Sequence, residues 1–115
     1  MVRALLRLEG LVVCALAIYG YRTSGGSWLW LVLLFLTPDF SMVGYLASPG
    51  LGSLTYNIAH IYVTAAVFVA LGWSFQVPWL LLAGFLLAAH IGVDRLLGFG
   101  LKYPGGFKDT HLQRV

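Results

Sequence analysis

From Phe40 to Val93 the chain carries no formally charged side chain. An uncharged run of that length cannot dress a globular surface in water, and hydrocarbon is the solvent that suits it. Composition agrees: of 115 residues, 60% are hydrophobic and only 10% charged. The mean hydropathy of +0.88 is far above what a soluble domain of this size tolerates on its exterior.

A membrane-spanning helix takes roughly 20 mostly apolar residues. The chain offers four such runs, at about 4–21, 27–46, 54–73 and 78–99, separated by "RTSGGS" (22–27), "ASPGLGS" (47–53) and "SFQV" (74–77). Backbone in hydrocarbon must satisfy its own hydrogen bonds, so helices are the available element. Short turn-forming breaks make neighbouring helices antiparallel. The expectation is an all-α, four-helix transmembrane bundle, one integral-membrane domain over 1–115 with a polar tail at 100–115. Arg3 and Arg7 before an apolar run, with "ALA" at 15–17, have the outline of a cleaved leader. Glu9 interrupts the basic start and the apolar run continues past the alanines, so the first run is read as a retained helix. One cysteine, Cys14, makes no internal disulfide.

Basic residues set the orientation. Arg3 and Arg7 lie at one end and Arg95, Lys102, Lys108 and Arg114 at the other, while only Arg22 falls in the loops. With four spans both termini share a side, and the positive-inside rule makes that side cytoplasmic. No nucleic-acid partner is expected.

Polar residues inside the runs carry the functional signal. At about 1.5 Å rise per residue, Glu9, Asp39, His60, His90 and Asp94 fall roughly 8 to 13 Å from the cytoplasmic ends of their helices. All four helices thus bring an ionisable group to one layer. A charge within a span costs at least about 2.5 kcal/mol, so such groups pair, face the interior or bind something. His90 and Asp94 share one face of the last helix, and Asn57 and His60 share a face of the third. Pro38 removes a backbone donor just before Asp39, which frees a carbonyl and bends the second run. Histidine and carboxylate are ligands for zinc or a similar divalent ion, and Asp39, His60, His90 and Asp94 suffice for one shell. A polar layer that merely fixes helix register uses the same residues. Glu9 has a simpler role as a partner for Arg7 or Arg95.

Trp28, Trp30, Trp73 and Trp79 near the outer ends read as an interfacial belt. Gly44, Gly52, Gly84, Gly92 and Gly98 read as points of close helix approach. In the tail, Pro104, Gly105 and Gly106 suggest a turn, and "KDTH" (108–111) allows a fold-back over the cytoplasmic mouth. Such a fold-back brings Asp109 and His111 to the site, His111 as a further ligand. Asn57, Ser41 and Asp109 are candidates for orienting water or substrate, and Lys102 and Lys108 for binding a phosphate or carboxylate.

The segments "RLEGL", "TPDFSMVGYL", "YNIAH" and "AHIGVDRLLGFGLKYPGGFKDTHL" resemble, over nearly the whole chain, the small bacterial membrane proteins grouped as domain-of-unknown-function family 4260. The order Pro-Asp, His, then H-x-x-x-D is also similar to inner-membrane predicted metal-dependent hydrolases and to zinc-dependent phospholipase C and related single-strand nucleases. That second resemblance implies metal ligation by Asp39, His60, His90 and Asp94. The later H-x-x-x-E of the three-zinc enzymes has no counterpart here, so it implies one metal site at most.

A site in the inner leaflet opening toward basic residues suits a lipid ester or phosphodiester. The leading expectation is a membrane-embedded, metal-dependent hydrolase. Three alternatives remain: a small oligomeric ion- or proton-coupled transporter or channel, a haem protein with His60 and His90 as axial ligands, and a non-catalytic bundle.

Overall fold

The computed structural model describes residues 1–105 and 108–115, so Gly106 of the expected Pro104–Gly106 turn lies outside the described residues. The chain is helical in six α-segments and one 3-10 segment, with no strand among the described residues. The α-helices are α1 (Val2–Thr23), α2 (Trp28–Leu34), α3 (Pro49–Ala59), α4 (Tyr62–Ser74), α5 (Pro78–Leu97) and α6 (His111–Arg114), and the 3-10 segment is Thr37–Leu46.

Two of the four expected runs are interrupted. The run expected to be one helix over 27–46 is α2 followed by ten residues of 3-10 helix, far longer than the three or four residues such helices usually reach. Its cause is local: Pro38 has no N–H to give to Leu34, whose carbonyl instead accepts from Thr37 Oγ1 at 2.7 Å. The register then tightens, with the Asp39 N–H donating to Leu36 rather than Phe35.

The run expected at 54–73 starts earlier and bends. Ser48 caps α3, accepting from the Leu51 N–H at 3.0 Å, and Pro49 occupies the first turn, a preferred place for proline. Most of the expected loop 47–53 is therefore helical. α3 and α4 meet at 43° around His60 and Ile61, where Thr64 Oγ1 donates back to the Ile58 carbonyl and competes with the continuing helix.

Two segments are long and apolar enough to cross a membrane, Trp28–Leu46 taken across its break and Pro78–Leu97, or three if the bent α3–α4 pair is one span. α1 spans 22 residues but bears Arg3, Arg7, Glu9 and Arg22, and is not among them. The outward surface suits lipid: Val32, Leu33, Val43 and Val63 are each more than 60% exposed, as are Trp73 and Trp79.

α5 is the central strut. It packs along α1 on one side and α4 on the other, while α3 lies against the 3-10 segment. Close approach of α1 and α5 runs through Gly10 and Gly92: a Cβ on Gly92 would sit 2.5 Å from the Gly10 carbonyl oxygen. Without a hydrophobic drive between helices in lipid, such small-residue contacts supply much of the packing. Gly98 does different work from the close approach expected of it. At φ +98 it caps α5, its N–H donating to Arg95 and the next N–H, of Phe99, to Asp94.

The tail folds back onto the bundle. Asn57 grips the Lys102 backbone at both ends, its Nδ2 donating to the carbonyl and its Oδ1 accepting from the N–H, each at 2.7 Å. Ser53 Oγ donates to Tyr103 O at 3.0 Å, Arg3 donates to the carbonyls of Gln113 and Val115, and Leu112 is fully buried.

Candidate metal centre

Asp39 comes from the first turn of the 3-10 segment, His60 from the end of α3, and His90 and Asp94 from successive turns of α5. One ligand-capable atom from each lies within 4.8 Å of all the others. His60 Nε2 is 3.3 Å from Asp39 Oδ1 and 3.5 Å from Asp94 Oδ2. His90 Nε2 is 3.2 Å from Asp39 Oδ1 and 3.3 Å from Asp94 Oδ2, and the two Nε2 atoms are 3.2 Å apart.

Irregular backbone fixes both imidazoles. Because the Asp39 N–H bonds to Leu36, the Phe35 carbonyl is released, and it accepts from His90 Nδ1 at 2.7 Å. The same happens at the end of α3: the His60 N–H donates to Asn57, releasing the Tyr56 carbonyl, which accepts from His60 Nδ1 at 2.8 Å. A carbonyl can only accept, so each Nδ1 holds a proton, and with the rings neutral each turns a lone pair at Nε2 toward the centre. Four acceptors thus converge, two nitrogens and two carboxylate oxygens. Protonating both Nε2 atoms would set two N–H groups against each other across 3.2 Å. A divalent cation balances the two carboxylates and satisfies all four acceptors at once.

The spacing fits such an ion. Bonds of about 2.0–2.1 Å to a tetrahedral metal put neighbouring ligand atoms about 3.3–3.4 Å apart, against the observed 3.2–3.5 Å for the five separations that involve a histidine. This Asp/His/His/Asp group can hold a metal ion.

Neighbours hold the shell in place. Tyr56 stacks on His60 with ring centroids 3.8 Å apart and 9° between planes, and its hydroxyl donates to Asp94 Oδ2 at 3.4 Å. Arg95, only 6% exposed, donates from Nη2 to the His60 carbonyl and from Nη1 to that of Phe99, both at 2.8 Å. The His60 carbonyl is left open by the α3–α4 break, so Arg95 closes the gap that lets His60 face the centre. In the sequence Arg95 reads as the end of a span and a partner for Glu9, and Tyr56 has no role. The available signal for Tyr56 was its i, i+4 spacing to His60 on one helix.

Lys102 lies at the other edge. It is 4% exposed, with Nζ 4.5 Å from the centroid of the Tyr56 ring. Burial pushes its ammonium below the ordinary lysine value, while the carboxylates of Asp94 and Asp39 pull it back up.

The remaining candidates lie elsewhere or are otherwise engaged. His111 is outside the four-residue group, its Nδ1 accepting from the Leu101 N–H at 2.8 Å. Burial, followed by repulsion from the Arg95 guanidinium, holds it below the ordinary histidine range. Asp109 is taken by Arg114 in a two-pronged ion pair at 2.9 and 2.7 Å, which lowers its pKa. Asn57 is the tail clamp. Ser41 has a buried hydroxyl with no hydrogen-bond partner among the described residues, and Lys108 is exposed. Glu9 faces a separate cavity of about 320 Å³ with Tyr62, Arg95 and His111.

Fold and site together define a class: a helical protein with segments long and apolar enough to cross a membrane and, among the described residues, one His/Asp cluster able to hold a metal ion. Within that class the chain belongs to the family described as Domain of unknown function (DUF4260), whose model matches residues 3–115. No curated protein and no solved structure matches the chain.

Proposed function

We propose that the protein is a membrane-embedded, metal-dependent hydrolase of esters or phosphodiesters, with zinc held by Asp39, His60, His90 and Asp94. The observation that carries this reading is the convergence of four acceptors whose histidine tautomers are set by backbone carbonyls. Zinc suits two imidazoles and two carboxylates, and when bound supplies Lewis acidity toward water and toward a phosphoryl or carbonyl oxygen. The shell is most open at Asp39, whose side chain is 36% exposed while His60 is fully buried. Substrate therefore approaches past Asp39, and Lys102 is placed to attract an anionic group. The Arg95 and Tyr56 contacts keep His60 oriented. In this reading the runs form a four-helix bundle of the bacterial inner membrane, both termini cytoplasmic, with membrane lipid as the substrate pool.

A second reading has its own support. Four protein ligands close a tetrahedral shell, as in structural zinc sites, and these four tie the 3-10 segment and α3 to α5. The haem alternative is poorly served: Nε2 atoms 3.2 Å apart on rings at 66° leave no room for a macrocycle between them. An oligomeric transporter needs a polar path toward the outer face, which the ionisable residues of this layer do not extend.

The test is turnover in nanodiscs. Zinc-loaded protein should release fatty acid or phosphorylated headgroup from phospholipid, and Lys102→Met, which leaves the four ligands intact, should slow it at least tenfold. A fully zinc-loaded protein that hydrolyses neither carboxylic nor phosphate esters contradicts the hydrolase reading and leaves the structural one.

A further inference from the structure

An apolar cavity of about 300 Å³ opens between the α2/3-10 junction, the α3–α4 break and the middle of α5, with Leu34, Pro38, Ala59, Phe68, Ala83 and Leu86 in its wall. Two threonines also line it, but both hydroxyls donate to backbone, Thr37 to Leu34 and Thr64 to Ile58, so neither hydroxyl proton is offered to the cavity. Its wall residues adjoin the cluster's ligands along the chain on all three supporting elements. Pro38 precedes Asp39, Ala59 precedes His60, and Leu86 lies one turn before His90 on the same face of α5.

Order along the fold identifies the occupant. Passing down α5, the apolar cavity at Ala83–Leu87 comes first and the ligands His90 and Asp94 about 5 to 10 Å further on. Beyond the helix end lies the buried Lys102. Apolar chain, ester linkage and anionic headgroup succeed one another in the same order in a phospholipid. The walls also belong to the segments apolar enough to cross a membrane, so a chain reaches the cavity sideways from the bilayer without crossing water. At about the 30 Å³ that a water molecule takes in liquid, the space holds on the order of ten methylene-sized groups.

We propose that this cavity binds one acyl chain of an anionic membrane phospholipid and so sets which bond of the lipid lies at the metal; the assignment of that bond rests on the hydrolase reading. The probe is phosphatidylglycerol carrying a diazirine midway along one chain, in nanodiscs of phosphatidylglycerol containing the full chain. Photolysis should label Phe68 and Leu86 at least tenfold more than Val32, which is 72% exposed on α2. Ala83→Phe, which fills the cavity from α5, should cut that labelling at least fivefold with bound metal unchanged, and Ala59→Phe should do so from the opposite wall. Labelling of Phe68 and Leu86 no stronger than of Val32, or undiminished in both variants, overturns the proposal. Metal content measured on the same samples separates the two ideas: cavity labelling in a protein that takes up no zinc upholds the lipid site and defeats the hydrolase reading. Zinc uptake without cavity labelling defeats the lipid site and leaves the metal centre standing.

Discussion

Replacing Arg95 by methionine tests whether the helix break at His60 belongs to the site. Methionine keeps much of the apolar stem and removes two charge-assisted hydrogen bonds, to the His60 and Phe99 carbonyls. Such bonds contribute about 1.5–3 kcal/mol each, and the His60 carbonyl loses its partner in a buried environment, that of Phe99 in a part-buried one. Partial repacking by the methionine offsets some of this, so the expected loss is about 3 kcal/mol of folding stability. The sharper consequence concerns the metal. His60 is held by Tyr56 O at Nδ1 and by Arg95 at its own carbonyl, and loss of such an outer support typically weakens metal affinity 10–100-fold. Zinc affinity in detergent, measured by chelator competition, should fall by at least tenfold while Arg95→Lys, which retains one donor, falls less. Arg95→Met with zinc affinity within twofold of the parent refutes the argument that the break is built to present His60.

Gly92→Val places a side chain against the Gly10 carbonyl, where even a Cβ would stand at 2.5 Å. α1 and α5 must separate, and unfolding in detergent should show a loss of about 1–3 kcal/mol. Asn57→Ala removes both hydrogen bonds to the Lys102 backbone, so limited trypsin digestion after Lys102 and Lys108 should speed up about tenfold or more, as expected from about 1.5 kcal/mol or more of lost tail anchoring. Acidification should release the tail as well. His111 has a folded pKa below its ordinary 6.5, so the folded state binds fewer protons and its contribution is full above 6.5. That contribution fades as pH falls through 6.5 toward the folded value, because a protonated Nδ1 cannot accept from Leu101. Exchange of the Leu101 amide with deuterium, corrected for the intrinsic pH dependence, should show falling protection over that range, and His111→Asn should flatten the response.

The helical character and the positions of the apolar runs were legible from hydropathy alone, because twenty-residue apolar stretches admit few alternatives. The convergence of Asp39, His60, His90 and Asp94 was legible from helix rise and a count of residues from each end. Both interruptions were harder to read. The bend at His60 lies in an uncharged, strongly apolar stretch, and it arises where the Thr64 hydroxyl captures a backbone carbonyl, an event that hydropathy does not register. Pro38 did announce a disturbance, yet the ten-residue 3-10 segment that follows it, and the release of Phe35 O to His90, depend on register. Arg95 follows Asp94 in sequence and so looked like a marker of the membrane edge. The α3–α4 break turns it inward, since the open His60 carbonyl, together with that of Phe99, gives the buried guanidinium its partners. Lys102 was picked out for its charge, and the residue that anchors its backbone, Asn57, was assigned to chemistry instead.

The most direct measurement is the metal content of the detergent-purified protein after equilibration with zinc, set beside His60→Ala and His90→Ala. Four converging acceptors predict about one divalent ion per chain, lost in both variants while helical circular dichroism is retained. A folded parent that binds no zinc, manganese or iron after reconstitution, or one whose bound metal survives both substitutions, contradicts the assignment of this cluster as a metal centre.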